Sequence, residues 1–216
     1  MSWLVRALGT SIAKKQVMAV TGLLFLLFLA VHLVGNLSLY RGKEAFVAYA
    51  QGLHALGGLL LAAEIGLILC LALHIIFGTI LFFENRRARP VKYLVDKTGG
   101  GGRTFSSMTM PYTGLLILLF LVVHMATFSH HLVDTSRQTV FQIARQVFSH
   151  WGYLVFYVFS MIVVAFHVRH GLWSAFQTLG ANHPKYMPFI EKFSVLFAIV
   201  VGLGFASLPV VVLFMR

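Results

Sequence analysis

Apolar runs dominate the chain, and polar positions fall in a few bands between them. Five runs are long enough to cross a bilayer core, which takes roughly 20 apolar residues as a helix; they cover about 17–40, 53–83, 108–132, 147–177 and 193–215. The first lies between Lys15 and Arg41, and the second is interrupted by Glu64 and closed by Glu84-Asn-Arg-Arg-Ala-Arg-Pro90. Helices are the economical solution, because lipid leaves backbone N–H and C=O groups only each other as partners. The evenly spaced short strands of a barrel are absent. The pattern therefore predicts an all-α integral membrane protein, a single membrane domain over 1–216 with five transmembrane helices.

One stretch occurs twice. Thr21-Gly-Leu-Leu-Phe-Leu-Leu-Phe-Leu-Ala-Val-His32-Leu33 returns as Thr113-Gly-Leu-Leu-Ile-Leu-Leu-Phe-Leu-Val-Val-His124-Met125, identical at ten of thirteen positions. Leucines would match by chance in any apolar helix, so the weight rests on Thr, Gly, Phe, Val and His together. An apolar segment has no inexpensive reason to carry an imidazole. A repeated one asks for a ligand.

Composition agrees with the pattern. Of 216 residues, 59% are hydrophobic and 11% charged, with a mean hydropathy of +0.86; a soluble domain of this length could not hide so much apolar surface. The net charge of +11 could suggest nucleic acid, but the Lys and Arg lie between apolar runs, as in a polytopic membrane protein, and no nucleic-acid partner is expected. The N-terminal tail, the loop Glu84 to Arg103 and the segment after His167 hold twelve basic residues: Arg6, Lys14, Lys15, Arg86, Arg87, Arg89, Lys92, Lys97, Arg103, Arg169, Lys185 and Lys192. The other side holds five, Arg41, Lys43, Arg137, Arg145 and Arg216. That asymmetry puts the N-terminus in the cytoplasm and the C-terminus outside. The basic N-terminus leads into a run too long for a signal-peptide core, so a cytoplasmic tail is expected there. Gly99 to Gly102, with no Walker-type Lys-Ser/Thr after it, reads as a hinge in the longest cytoplasmic loop. The single cysteine, Cys70, excludes a disulfide framework, an iron–sulfur cluster held by this chain alone and Cys-x-x-Cys-His haem attachment.

Four histidines sit well inside spans, one on each of the first four: His32, His74, His124 and His167, separated by 42, 50 and 43 residues. His32 and His124 each follow a Thr-Gly pair by eleven residues on helices of the same direction, so they reach one depth, nearer the outer face. His74 and His167, on the returning helices and each with glycine four residues on (Gly78, Gly171), lie nearer the cytoplasmic face. Two histidine pairs at two depths in a bundle are the geometry of two bis-histidine haems, with the first four helices forming the two-haem bundle. Gly22, Gly35, Gly78, Gly114, Gly171, Ala30 and Ala165 could let a flat macrocycle approach the backbone. The competing reading makes these histidines interhelical hydrogen bonds and the glycines close packing contacts. Zinc fits less well, since the two pairs are too far apart in depth to share one ion.

On Thr21-Gly22…His32, His74, Thr113-Gly114…His124 and His167-Val-Arg-His170-Gly171-Leu-Trp-Ser-Ala-Phe-Gln177-Thr-Leu-Gly180, and over nearly its whole length, the chain resembles the five-helix, di-haem cytochrome b membrane anchor of succinate dehydrogenase and quinol:fumarate reductase. The resemblance implies that His74 and His167 ligate a proximal haem b and His32 and His124 a distal one. It implies a flavoprotein and an iron–sulfur partner, a quinone (menaquinone by the same resemblance), a bacterial cytoplasmic membrane, and electron transfer between the partner's clusters and quinone, with dicarboxylate chemistry on a partner chain. Some fumarate reductases of this type carry a glutamate two residues before the histidine matching His167; here that position is Ala165, which puts a proton route built on it in doubt. Other cytochrome b subunits, of formate dehydrogenase or hydrogenase type, and a haem-free transporter are the alternatives; the bc-type arrangement of two histidines on each of two helices does not fit.

Among other polar residues, Glu64 is the only carboxylate inside a span, ten residues or about 15 Å before His74 and so level with the outer histidines. It is a candidate for proton exchange with quinone, or else a hydrogen-bonded helix contact. His54, at the outer start of the second span, could hydrogen-bond a quinone carbonyl or simply sit at the interface. Arg145 on the outer side and Arg169 with His170 on the inner are placed to pair with haem propionates, although flanking charge accounts for them too. His130, His131, His150 and His183 lie near membrane boundaries, where histidine needs no special role. Trp151, Tyr153, Trp173 and Tyr186 suit the aromatic belts, and the fifth span reads as packing.

Overall fold

The computed structural model describes residues 9–88, 105–133 and 137–215; the Gly99–Gly102 hinge and Arg6, Arg89, Lys92, Lys97, Arg103 and Arg216 fall outside them. The described residues are helical with short turns, in the order α1 (Ser11–Asn36), a 3-10 turn (Leu37–Arg41), α2 (Lys43–His54), α3 (Gly58–Arg87), α4 (Phe105–Phe128), α5 (Val140–Ser149), α6 (Trp151–Thr178) and α7 (Met187–Phe214). Five of these, α1 with its 3-10 turn, α3, α4, α6 and α7, are long and apolar enough to cross a membrane. This is an all-α membrane architecture.

Two short helices were not visible in the apolar pattern, and they shift the span boundaries. The second span, expected from 53, begins at Gly58, because α2 ends at His54 and the chain turns through Gly57 at φ 53°, a left-handed conformation open to glycine. The fourth, expected from 147, begins at Trp151: α5 ends at Ser149 and His150 is extended at φ −84°, ψ 110°. The third stops at Phe128 rather than 132. A capping box starts α5, with Thr139 Oγ1 accepting from Gln142 N at 3.3 Å and Thr139 N donating to Gln142 Oε1 at 2.8 Å. Its apolar face, Phe141, Ile143, Ala144 and Phe148, is buried, as is Phe46 of α2. The repeat is therefore long helix, short helix, long helix: α1–α2–α3 and α4–α5–α6.

Packing is densest between α6 and α7, with α1 against α6, α3 against α1 and α4 against α6; α3 and α4 meet only sparsely. Small residues allow the close approaches. A Cβ on Gly202 would come 2.9 Å from that of Ala165, and one on Gly204 the same distance from Leu33, so α7 is the packing helix its sequence suggests. Lys14 pairs with Glu84 at the end where α1 starts and α3 stops, the basic end. Tyr40 Oη donates to Ser207 Oγ at 2.7 Å at the far end.

Candidate functional site

Each Thr-Gly pair serves the histidine of the next long helix rather than its own. Thr21 Oγ1 lies 3.1 Å from His74 Nδ1, and Thr113 Oγ1 lies 3.0 Å from His167 Nδ1. The threonine hydroxyls have their protons committed within the helix. Thr21 donates to Val17 O at 2.8 Å, with Met18 O at 3.2 Å; Thr113 donates to Met110 O at 3.0 Å, with Thr109 O at 3.1 Å. A hydroxyl has one proton to give; with that proton on a backbone carbonyl, the imidazole is the donor and Nδ1 carries the hydrogen. The lone pair is then on Nε2, as a metal-ligating histidine requires. The neighbouring glycine leaves room for the ring: a Cβ on Gly22 would stand 3.5 Å from His74 Cε1, and one on Gly114 would stand 3.6 Å from His167 Cε1. His74 and His167 are the near pair.

The far pair is built differently. His32 and His124 have ring centres 6.1 Å apart at 84°, an edge-to-face contact. Phe28 stacks on His32 at 5.2 Å and Phe120 on His124 at 5.4 Å, the same side chain one turn back in each copy. Phe205 flanks His32, while Phe128 and Tyr157 flank His124. Polar support is thin. His124 Nδ1 is buried without a hydrogen-bond partner. Asn36 Nδ2 donates to the His32 carbonyl at 2.8 Å and stands 3.4 Å from His32 Nδ1; the carbonyl fixes the amide orientation, so His32 Nδ1 faces a donor. Along α1, His32 is eleven residues beyond Thr21, or about 16 Å. The described fold thus brings His32 and His124 into ring contact at one level, and sets His74 and His167 each against a threonine at the other.

The small residues sort by contact. Gly22 and Gly114 face the near-pair histidines, but Gly35 makes room for Tyr49, with which a Cβ there would collide, and Gly78 abuts Met18. Ala165 faces α7, so at Gly35, Gly78 and Ala165 helix packing takes the space expected for a macrocycle, while the space beside a Cβ at Gly171 is open. Arg145 on α5 and Arg169 on α6 are exposed, and His170 is half-buried beside Trp173, with ring centres 5.9 Å apart.

Glu64 is not level with the far pair in its contacts, as its helical offset from His74 suggested. It meets His130 and His131, six and seven residues past His124 in the turn after α4, with Glu64 Oε2 2.9 Å from His131 Nε2 and Oε1 3.6 Å from His130 Nδ1. His54, at the end of α2 rather than the start of a span, stacks near His130 with ring centres 4.6 Å apart. Desolvation holds the His130 imidazole below its usual range, against the pull of Glu64 and with help from His131 and His54; its neutral form therefore persists to lower pH than that of an ordinary histidine. Sequence reasoning set His130 and His131 aside as boundary residues, although a His-His dipeptide closing a span was a usable signal. No family model, curated protein or solved structure matches this chain.

Proposed function

We propose that this chain is the di-haem cytochrome b anchor of a succinate:quinone oxidoreductase, a succinate dehydrogenase or quinol:fumarate reductase of a bacterial cytoplasmic membrane. It carries electrons between an iron–sulfur partner subunit and a membrane quinone, menaquinone by resemblance, while a flavoprotein performs the dicarboxylate chemistry. The observation that carries the reading is the twofold-repeated cradle in which a threonine hydroxyl accepts from histidine Nδ1 and leaves Nε2 free. Each histidine pair offers only two ligand atoms, and the one cluster of three or more His, Cys, Asp or Glu donors among the described residues lies elsewhere. A bare zinc ion seeks four ligands. A metal held by two imidazoles alone fits a macrocycle that brings its own equatorial nitrogens.

The near-pair residues fit that group, and at the far pair the donor that Asn36 presents to His32 Nδ1 has to give way for His32 Nε2 to serve. His74 and His167 would hold one haem b and His32 and His124 the other, with Gly22 and Gly114 keeping the near-pair helices free of side chains beside the ligands. When bound, haem supplies reversible one-electron transfer. The chain does the rest. Thr21 and Thr113 hold the near imidazoles in one tautomer, and Phe28 and Phe120 fix the far rings. The apolar helices exclude water around both levels, and the basic end, with Lys14, Arg86 and Arg87, faces the soluble partners. Arg169 and His170 there, and Arg145 at the other end, are available to haem propionates; His54 and Glu64 are the quinone-side candidates.

Purification from the native membrane tests this. The expected result is co-purification with a covalent-flavin subunit and an iron–sulfur subunit, and b-type absorbance reduced by succinate or oxidised by fumarate. A molybdenum or nickel subunit instead would move the chain to a formate dehydrogenase or hydrogenase, and a colourless preparation would overturn the haem reading.

A further inference from the structure

The far rim of the bundle carries a second donor cluster that the histidine pairs leave unused. One ligand atom each from Glu64, His130 and His131 lie within 4.8 Å of one another, and these are the only three described residues so grouped. The His130 and His131 rings stand 3.9 Å apart, tilted by 38°, so both imidazoles are brought to one carboxylate. Glu64 and His130 are each 29% exposed and His131 54%, which leaves the cluster open to an ion from solution. Two imidazoles and one carboxylate select a borderline transition metal over calcium or magnesium, whose sites are built from oxygen. With three protein ligands, the fourth position is left to water, or to the neighbouring His54.

We propose that Glu64, His130 and His131 form a binding site for a divalent transition-metal ion of the zinc class. The ion ties the first turns of α3 to the turn after α4, two helices from different copies of the repeat that otherwise meet sparsely. It acts as a clamp across the far mouth of the bundle. The site stands on its own geometry, does not depend on the haem reading, and takes Glu64 in place of the quinone-side role named above.

Tag-free protein, purified from its membrane with whatever subunits accompany it, is equilibrated with Zn2+ and its retained metal counted, with Soret absorbance and Tm read on the same samples. Wild type should retain one more equivalent of zinc than Glu64→Gln, His130→Gln or His131→Ala, each of which should weaken binding at least about tenfold. His183→Ala, at the exposed basic end, should leave zinc retention unchanged. Zinc should raise the Tm of wild type and not of the three cluster variants. Haem absorbance unaltered across the series separates failure here from failure of the electron-transfer reading. Equal zinc retention by wild type and all cluster variants, or none above background in wild type, would overturn the proposal and leave Glu64 and His131 as an ordinary hydrogen-bonded pair.

Discussion

The near and far histidine pairs each present two imidazoles, held by opposite means. At the near level, Nδ1 of His74 and of His167 each contacts a threonine hydroxyl; with that hydroxyl's proton on a backbone carbonyl, the imidazole is the donor and the tautomer is set before any metal arrives. At the far level, aromatic rings clamp His32 and His124, His124 Nδ1 has no partner, and Asn36 presents a donor to His32 Nδ1. The copies also part company here: Asn36 of α1 corresponds to Phe128 of α4. Preorganisation by hydrogen bond is confined to one level and preorganisation by packing to the other. Polar substitutions should therefore be felt most at the near pair, and aromatic ones at the far pair.

The largest expected effects come from the ligands themselves. His74→Ala and His32→Ala should each remove one of two haems, in different halves of the redox titration; retention of both haems in either variant would end the comparison. Thr21→Val and Thr113→Val come next. Loss of the acceptor leaves a buried Nδ1–H unpaired, and near-pair haem affinity should fall about 10–100-fold, with the far haem unchanged. Haem titration of the detergent-solubilised variants reads this, and equal loss from both levels would show that the threonines act only through the fold.

Glycines give an intermediate effect and a control. Gly35→Ala collides with Tyr49 and should destabilise the protein by about 1–3 kcal/mol in chemical unfolding, without favouring either haem. Gly114→Ala places its Cβ in ordinary contact with His167, so the fold should tolerate it; any loss should be of the near haem alone. The smallest change belongs to Asn36→Leu. It costs the fold about 1 kcal/mol for the lost bond to the His32 carbonyl and frees His32 Nδ1, so far-level haem should be retained or bound more tightly. Release of that haem would contradict the tautomer assignment.

Much of this was legible in the residues. Span count, the four histidines and the internal echo follow from hydrophobic run length and from the cost of an imidazole in lipid. The short helices were harder, because α2 and α5 bury one face only and interrupt no long polar band; the Thr139–Gln142 box was their clearest local mark. The role of Thr21 and Thr113 was hidden for another reason. A repeat read along one helix joins Thr21 to His32, whereas the contact crosses to His74, 53 residues on. The partners of Glu64 were hidden likewise, since helical offset gives depth along one rod, not what the loop of another helix brings to it. Gly35 and Ala165 looked like room for a macrocycle and are occupied by Tyr49 and α7.

The central claim is that four histidines hold two haems in pairs across the repeat. The most direct measurement is the haem b content per chain of the purified complex, in wild type and in His124→Ala. Two haems per chain falling to one, with the surviving haem still six-coordinate and low-spin, is the predicted result. A wild-type chain with fewer than two haems, or a His124→Ala variant that keeps both, would contradict the account.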